Sequence, residues 1–548
     1  MNYFQKLKVL TIYDIFGRLR HFLRKVFGVL KRNAHINKKP KTVTNESILV
    51  FNERKLETLT QNPYVFSIFG KKYNLQNFYF RDAGDKYWYE CKLPKKEDIK
   101  IEWEINRLQF LVPLAVNYKK TNNDKDLVLL NNLLLDWVSK NKFDRGINYY
   151  SNLEVAIRAI SIYLIFTMIG DSLLKDVKLT DLLYLHGLHI YNEINTTRLT
   201  TRNNHAYGEA VALFLLGKHF GEKKWEKRGI KIFNEFSFLI DNFGDCVEES
   251  SNYHFFITQM LVIAYSADSE DRLQIGDKLG KSLSSLSHIT DAKKRIISYG
   301  DCDNSFFYNF SNEPDILLKK IESNAFSLGA LKKNYILNNK KKSIQVFYHG
   351  NFKLILLTGQ EKYHAHSHAL SYTLLYKEEE IVVDPGTFVY NANPKKRKYF
   401  RSSAAHNCPS ADGKDHSQQI TNFRLRNEHN KVYYSYKDGK HAFLLKTRRD
   451  KILREIMFIP NGIVIEDRVL KKNIVSLITF CPGVDITQKN KNIFIVNNVL
   501  KINFLDDIYA ELMEGPISTT YNNLRETSII GYKSSLSKVS YEITEIEK

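Results

Sequence analysis

Residues 343–358 read SIQVFYHGNFKLILLT, and at this stretch the chain changes period. Two apolar-rich runs, 343–349 and 352–358, flank a Gly-Asn pair, as two strands joined by a turn would. Upstream, from 98 to 335, apolar residues recur at helical spacing; 101–118, 127–138 and 153–169 are clear instances. Further helices are expected near 180–194, 205–220, 225–240, 253–266 and 271–287. Downstream, strands continue at 381–384, 431–437, 442–449, 463–470 and 493–498, separated by Asn, Asp and Gly. The expected architecture is α then β: successive antiparallel helices forming a toroid or solenoid over 98–335, then an antiparallel β-sandwich over 340–548. No sequence repeat of fixed period accompanies the helices. Residues 46–97 form a lead-in of short strands and turns, and 1–45 a basic segment ending in Lys38-Lys39-Pro40-Lys41.

At 548 residues the chain exceeds one ordinary core, so several domains are expected. Hydrophobic residues make up 43% and charged residues 26%, a globular balance. Lys and Arg (81) exceed Asp and Glu (60) by 21 charges. Such an excess draws polyanions: acidic polysaccharides, anionic membranes or nucleic acid. It also fits a coding bias toward Lys. Nucleic acid is disfavoured, because no zinc-finger spacing, Arg-rich tract or RNA-binding signature occurs. Five cysteines, an odd number without a CxxC pair, argue against a disulfide framework. No unbroken apolar run reaches the roughly 18 residues of a membrane span. Residues 1–33 resemble a basic amphipathic helix rather than a secretory signal, docked either on the protein itself or on a membrane surface. The default expectation is a cytoplasmic location.

Four stretches carry chemistry. Just past the first strand pair, Tyr363–Tyr376 contains His364, His366 and His368 at alternate positions. In a strand, all three would share one face, suited to holding a metal or moving protons near an anion. Asp384 and His406 follow, and His366, Asp384 and His406 make a common zinc set. Second, Asn203-Asn204-His205 precedes a helical run, with either Asn a good cap. This is a plain cap with a surface His205–Glu209 pair, or an anion site at a helix N-terminus. Third, Glu248-Glu249-Ser250-Ser251-Asn252-Tyr253-His254 places a Tyr at a helix start, either simply buried or a phenolate favoured by nearby cations. Fourth, Asp301 and Asp303 sit in a turn that is structural or, less readily, a cation site.

Taken together, these motifs resemble the heparinase II/III-like polysaccharide lyases and the related alginate and oligoalginate lyases. The resemblance also rests on Trp103-Glu104-Ile105-Asn106-Arg107, Gly300-Asp301, Asp384-Pro385-Gly386-Thr387 and the 399–407 stretch. It implies an incomplete (α/α) toroid followed by an antiparallel β-sandwich. The implied reaction is β-elimination next to a uronic acid in an acidic polysaccharide, leaving an unsaturated sugar. It further implies that Tyr253 is the base and also the acid, and that Asn204 and His205 neutralise the uronate carboxylate. His364 would assist proton transfer, and zinc would sit on His366, Asp384 and His406. Asn203, Glu249, Tyr399 and Arg401 would contact substrate. His368 stands where the family usually has Asp. Members are mostly periplasmic or secreted, which contrasts with the N-terminus here. Two other readings remain. One is a glycoside hydrolase using Glu248 or Glu249 with Asp301 or Asp303; the other is a non-catalytic anionic-glycan or membrane-surface protein.

Overall fold

The computed structural model describes residues 19–25, 47–49, 62–94, 98–310, 343–361, 363–426, 429–470 and 472–546. The Lys38–Lys41 run, the boundary expected between 335 and 340 and most of the N-terminal segment lie outside them. The described part of that segment, a helical stretch at 19–25, docks on the protein itself. Arg24 makes a two-pronged ion pair with Glu193 (2.6 and 2.9 Å), and His21 packs on Trp88.

The helical half is a double ring whose inner and outer members differ as their sequences demand. Helices Asn152–Ile169, Asn204–His219 and Ser251–Ala267 are apolar on nearly every side and bury almost every residue. The first is long and apolar enough to cross a bilayer, but 94% of it is buried within the protein. A helix without a polar face belongs inside a ring of others. Helices Lys223–Glu235 and Gly276–His288 bury only one stripe and lie outside. Gly208 marks where the inner helices close up, since a Cβ there would lie 2.9 Å from both Leu153 and Met260. This is the (α/α) toroid.

Among the described residues, the paired strands of the β half are antiparallel, with one isolated parallel bridge between Gly386 and Ser518. One sheet of eight strands runs, edge to edge, Lys431–Lys437, Lys440–Lys446, Lys451–Ile459, Gly462–Val469, Lys538–Glu545, Leu500–Phe504, Ile493–Val496 and Ile486–Gln488. Two four-stranded sheets and a two-stranded pair, Gln418–Gln419 with Leu425–Arg426, accompany it. The strand Phe352–Leu357 is buried at every position. Its alternation explains why: Ile355 and Leu357 join the toroid core, while Phe352, Leu354 and Leu356 join the sandwich core. A strand buried on both faces has a continuous apolar run instead of an alternating one.

One expectation fails locally. Residues 364–368 form no strand; the next strand starts at Tyr372. The peptide groups point elsewhere, with His364 N–H donating to Glu248 O and Ser367 N–H to Arg401 O. The three histidines nevertheless stay buried together. All five cysteines are free thiols.

Candidate active site

Backbone hydrogen bonds draw the chemical stretches together at the junction of toroid and sandwich. Ser251 N–H donates to Tyr299 O (3.1 Å), Asp301 N–H to His364 O (2.8 Å), and His364 N–H to Glu248 O (3.2 Å). Gly300 makes this crossing possible. Its φ is +67°, and a Cβ would lie 2.5 Å from Glu249 O; only glycine meets both conditions without strain.

Tyr253 opens the Ser251–Ala267 helix, whose cap Ser250 accepts from the Tyr253 N–H (3.2 Å). The Tyr253 hydroxyl donates to Asp303 (3.1 Å) and lies 3.3 Å from the Tyr390 hydroxyl. His364 stacks on the Tyr253 ring, centroids 3.6 Å apart. Burial, then the charges of Asp303, Asp301 and Glu248, push the Tyr253 phenol well above its ordinary range. Of the two expectations for Tyr253, burial therefore favours the buried phenol over the phenolate, and the nearby carboxylates Asp303 and Asp301 are themselves paired with Lys100 and Arg397.

Asp301 is the hub. It takes two hydrogen bonds from Arg397 (2.5 and 2.8 Å), one from His364 Nδ1 (3.1 Å) and one from His366 Nε2 (2.9 Å). Burial opposes its ionisation, but Arg397 and the two imidazoles hold it well below the usual carboxylate range. The plain-turn reading of Asp301 is thereby overturned, and so is a cation cage, because arginine fills that position.

Asn203 caps the Asn204–His219 helix, accepting from His205 N–H (3.1 Å). Asn204 gives its backbone N–H (2.8 Å) and its side-chain amide (2.7 Å) to Glu248. The anion at this helix N-terminus is thus an internal carboxylate. The surface His205–Glu209 pair does not form, because Glu209 is fully buried and bonds Asn152 (2.5 Å). Burial lowers the His205 imidazole to about 4, so it is neutral near pH 7.

Beside the hub, four buried acceptors converge. His366 donates its Nε2–H to Asp301, leaving Nδ1 a lone pair; His406 donates Nδ1–H to Ser402 O (2.8 Å), leaving Nε2 a lone pair. These two lone pairs face each other at 3.1 Å. Asp384 Oδ2 lies 3.5 Å from His406 Nε2 and 3.8 Å from His368 Nδ1. Neither Asp384 Oδ2 nor His368 Nδ1 has a hydrogen bond among the described residues. His366, His368 and His406 bring ligand atoms within 4.8 Å of one another. Burial holds His366 at about 3 and His406 at about 4, the neutral state a ligand needs. Acceptors gathered without a donor fit a metal ion. His368 therefore joins the donor group expected from sequence.

Other expected contacts face inward. Glu249 grips the backbone N–H groups of Gln360 (2.8 Å) and Glu361 (2.7 Å). Arg401 is fully buried and donates to Thr421 O and Ala365 O, bracing the histidine loop. Tyr399 is half-buried beside Phe400. Asn203 is occupied as a cap. The carboxylates needed for a hydrolase are all taken: Glu248 by Asn204, Glu249 by backbone, Asp301 by Arg397, and Asp303 by Lys100 (3.1 Å) and Tyr253. Sequence reasoning missed Arg397 and Tyr390. Arg397 sits in the surface-like run Lys395-Lys396-Arg397-Lys398, where nothing distinguishes the buried member.

The family model for the heparinase II/III N-terminus matches residues 19–290, and that for the heparinase II/III-like C-terminal domain matches 339–533. Among solved structures, the chain is similar to heparinase III (14% identity, TM-score 0.67, 97% of this chain and 91% of that one). It is also similar to a heparan sulfate lyase from Pedobacter heparinus (16% identity, TM-score 0.54, 98% and 89%). At these identities the structural likeness establishes the fold. No curated protein sequence matches the chain.

Proposed function

The chain belongs to the heparinase II/III-like family of polysaccharide lyases, and from that premise we propose that it cleaves an acidic, uronate-bearing glycan by β-elimination. The observation that carries this reading is the Tyr253–His364 stack, with Asp301 behind the imidazole and the nearby carboxylates Glu248, Asp301 and Asp303 each paired within the protein.

In the proposed reaction a base removes the C5 proton of the uronate. The C5–H electrons become the C4=C5 double bond, the C4–O4 bond breaks, and O4 takes up a proton. Tyr253 begins protonated, so it is the proposed donor to O4, revising the base role that the family resemblance implies. His364 is the proposed base. Asp301 accepts from Nδ1–H, which leaves the Nε2 lone pair to take the C5 proton, and a carboxylate–imidazole pair of this kind supports general base catalysis. His205, held neutral, offers an N–H donor to the uronate carboxylate as its charge grows. Asn204, tied to Glu248, positions that edge of the site.

The donor set fits zinc, held by His366, Asp384 and His406 with His368 as a fourth ligand. Bound there, zinc would act structurally, fixing the loop that carries His364.

The test is absorbance near 232 nm, where a conjugated uronate product absorbs, across polyuronates, glycosaminoglycans and bacterial capsular polysaccharides. A rise with the native protein that is absent in Tyr253→Phe supports the reading. New reducing ends without absorbance would replace it with hydrolysis.

A further inference from the structure

We propose that a basic edge of the large sheet, built from Lys431, Lys446, Arg448, Arg449 and Lys451 with Tyr433, is a second contact for the anionic polysaccharide, apart from the Tyr253–His364 site. This inference rests on the reading of the substrate as an acidic glycan.

The strand Lys431–Lys437 is the free edge of the eight-stranded sheet. In its register with the next strand, Lys431 lies directly opposite Lys446, and Lys446 lies opposite Lys451 on the strand beyond. Three lysines thus stand abreast. Like charges directly opposite each other destabilise a sheet. No described carboxylate lies within ion-pair distance of any of the three, and the acid in the adjoining turn, Asp450, is taken by Lys472. That turn is closed by Thr447 N–H to Asp450 O (2.9 Å) and Asp450 N–H to Thr447 Oγ1 (2.9 Å). It leaves Arg448 and Arg449 exposed at its tip. The cluster therefore carries five positive charges and a standing repulsion that an anionic polymer would relieve.

Tyr433 gives the patch its chemical character. It is 47% exposed on the same face, with the Lys446 ammonium 4.5 Å from its ring centroid. An exposed aromatic ring flanked by cations suits a pyranose that presents an apolar face and carries carboxylate or sulfate. The patch also adjoins the histidine loop. Asn430, next to Lys431, donates to Glu361 (3.0 Å), whose carboxylate also accepts from Ala369 N–H (2.8 Å).

The experiment compares the full chain with a variant in which all five cations are Gln, and with Tyr433→Ala, after matching far-UV spectra and melting temperatures. Retention on immobilised heparan sulfate and on immobilised polyuronate is read as the salt needed for elution. Turnover at 232 nm is read on long polymer and on tetrasaccharide. The expected result is elution at lower salt, KM for polymer raised about tenfold, and tetrasaccharide turnover unchanged within about twofold. Unchanged elution, equal losses on polymer and tetrasaccharide, or no retention of the native chain would overturn the proposal. So would cation-dependent binding to phosphatidylserine vesicles without polymer retention. If the native chain produced no absorbance change yet its retention fell in the variant, the lyase reading would fail and the polyanion contact would stand.

Discussion

The imidazole of His364 lies flat on the phenol of Tyr253, 9° from parallel, although the two side chains come from different halves of the chain. Tyr253 starts an inner helix of the toroid, whereas His364 sits on a loop of the sandwich. Docking of one half on the other therefore assembles the proposed pair of proton-handling groups. Neither half contains it alone.

Replacing Tyr253 by Phe keeps the stack and removes only the hydroxyl. Lyase turnover at 232 nm is expected to fall by about 10²–10⁴-fold. Stability should change by only about 1 kcal/mol, the worth of the lost hydrogen bond to Asp303. Turnover within tenfold of native would remove Tyr253 from the chemistry.

Asp301→Asn should destabilise the fold by about 3–5 kcal/mol in denaturant unfolding, because Arg397 would be left buried without its partner. The double variant Asp301→Asn, Arg397→Met should recover part of that stability but not the turnover. Recovery of both together would show that Asp301 does not orient His364.

The four convergent acceptors predict one equivalent of zinc per chain by elemental analysis. Chelation should lower the melting temperature, since an ion bound only to the native state stabilises it. His368→Ala and Asp384→Ala should each reduce the metal content. Native metal content in His368→Ala would exclude that imidazole as a ligand.

Acid should weaken the fold through histidines buried in the neutral form. Burial holds His254 at about 3, in contact with Ser282 (3.1 Å). Its folded pKa lies below the unfolded value of about 6.5, so the unfolded chain binds the extra proton and stability declines as pH drops below about 6.5. At pH 5 this one group should cost about 2 kcal/mol relative to pH 8. Denaturant unfolding of His254→Asn should show a shallower decline over that range; an equally steep one would place the acid sensitivity elsewhere.

Much of the fold was legible from residue patterns. The inner helix Asn152–Ile169 shows its burial in its composition, and the change of period at 343–358 locates the start of the β half. Of the site, Asn204, His205, Tyr253, His364, His366, Asp384 and His406 were identifiable as chemical groups in recurring motifs. Their states were not. The phenolate expected from nearby cations gives way to the buried phenol, because the cations Lys100 and Arg397 are spent on Asp303 and Asp301. A pKa answers to burial and to neighbours within a few ångströms, which a sequence does not place.

By itself the sequence did not reach the loop at 364–368 or the strands at 509–545, but it determined the helical half, several strands of the β half and which residue types lie at the chemical positions. Those depend on local period and on side chains a few residues apart. Only the tertiary structure decided that Asp301 joins Arg397, His364 and His366, that Glu248 occupies the N-terminus of the Asn204–His219 helix, and that His368 faces Asp384. The Asp301 contacts join residues 63 to 96 positions apart, and such contacts are set by how the toroid and sandwich pack, which no local pattern encodes.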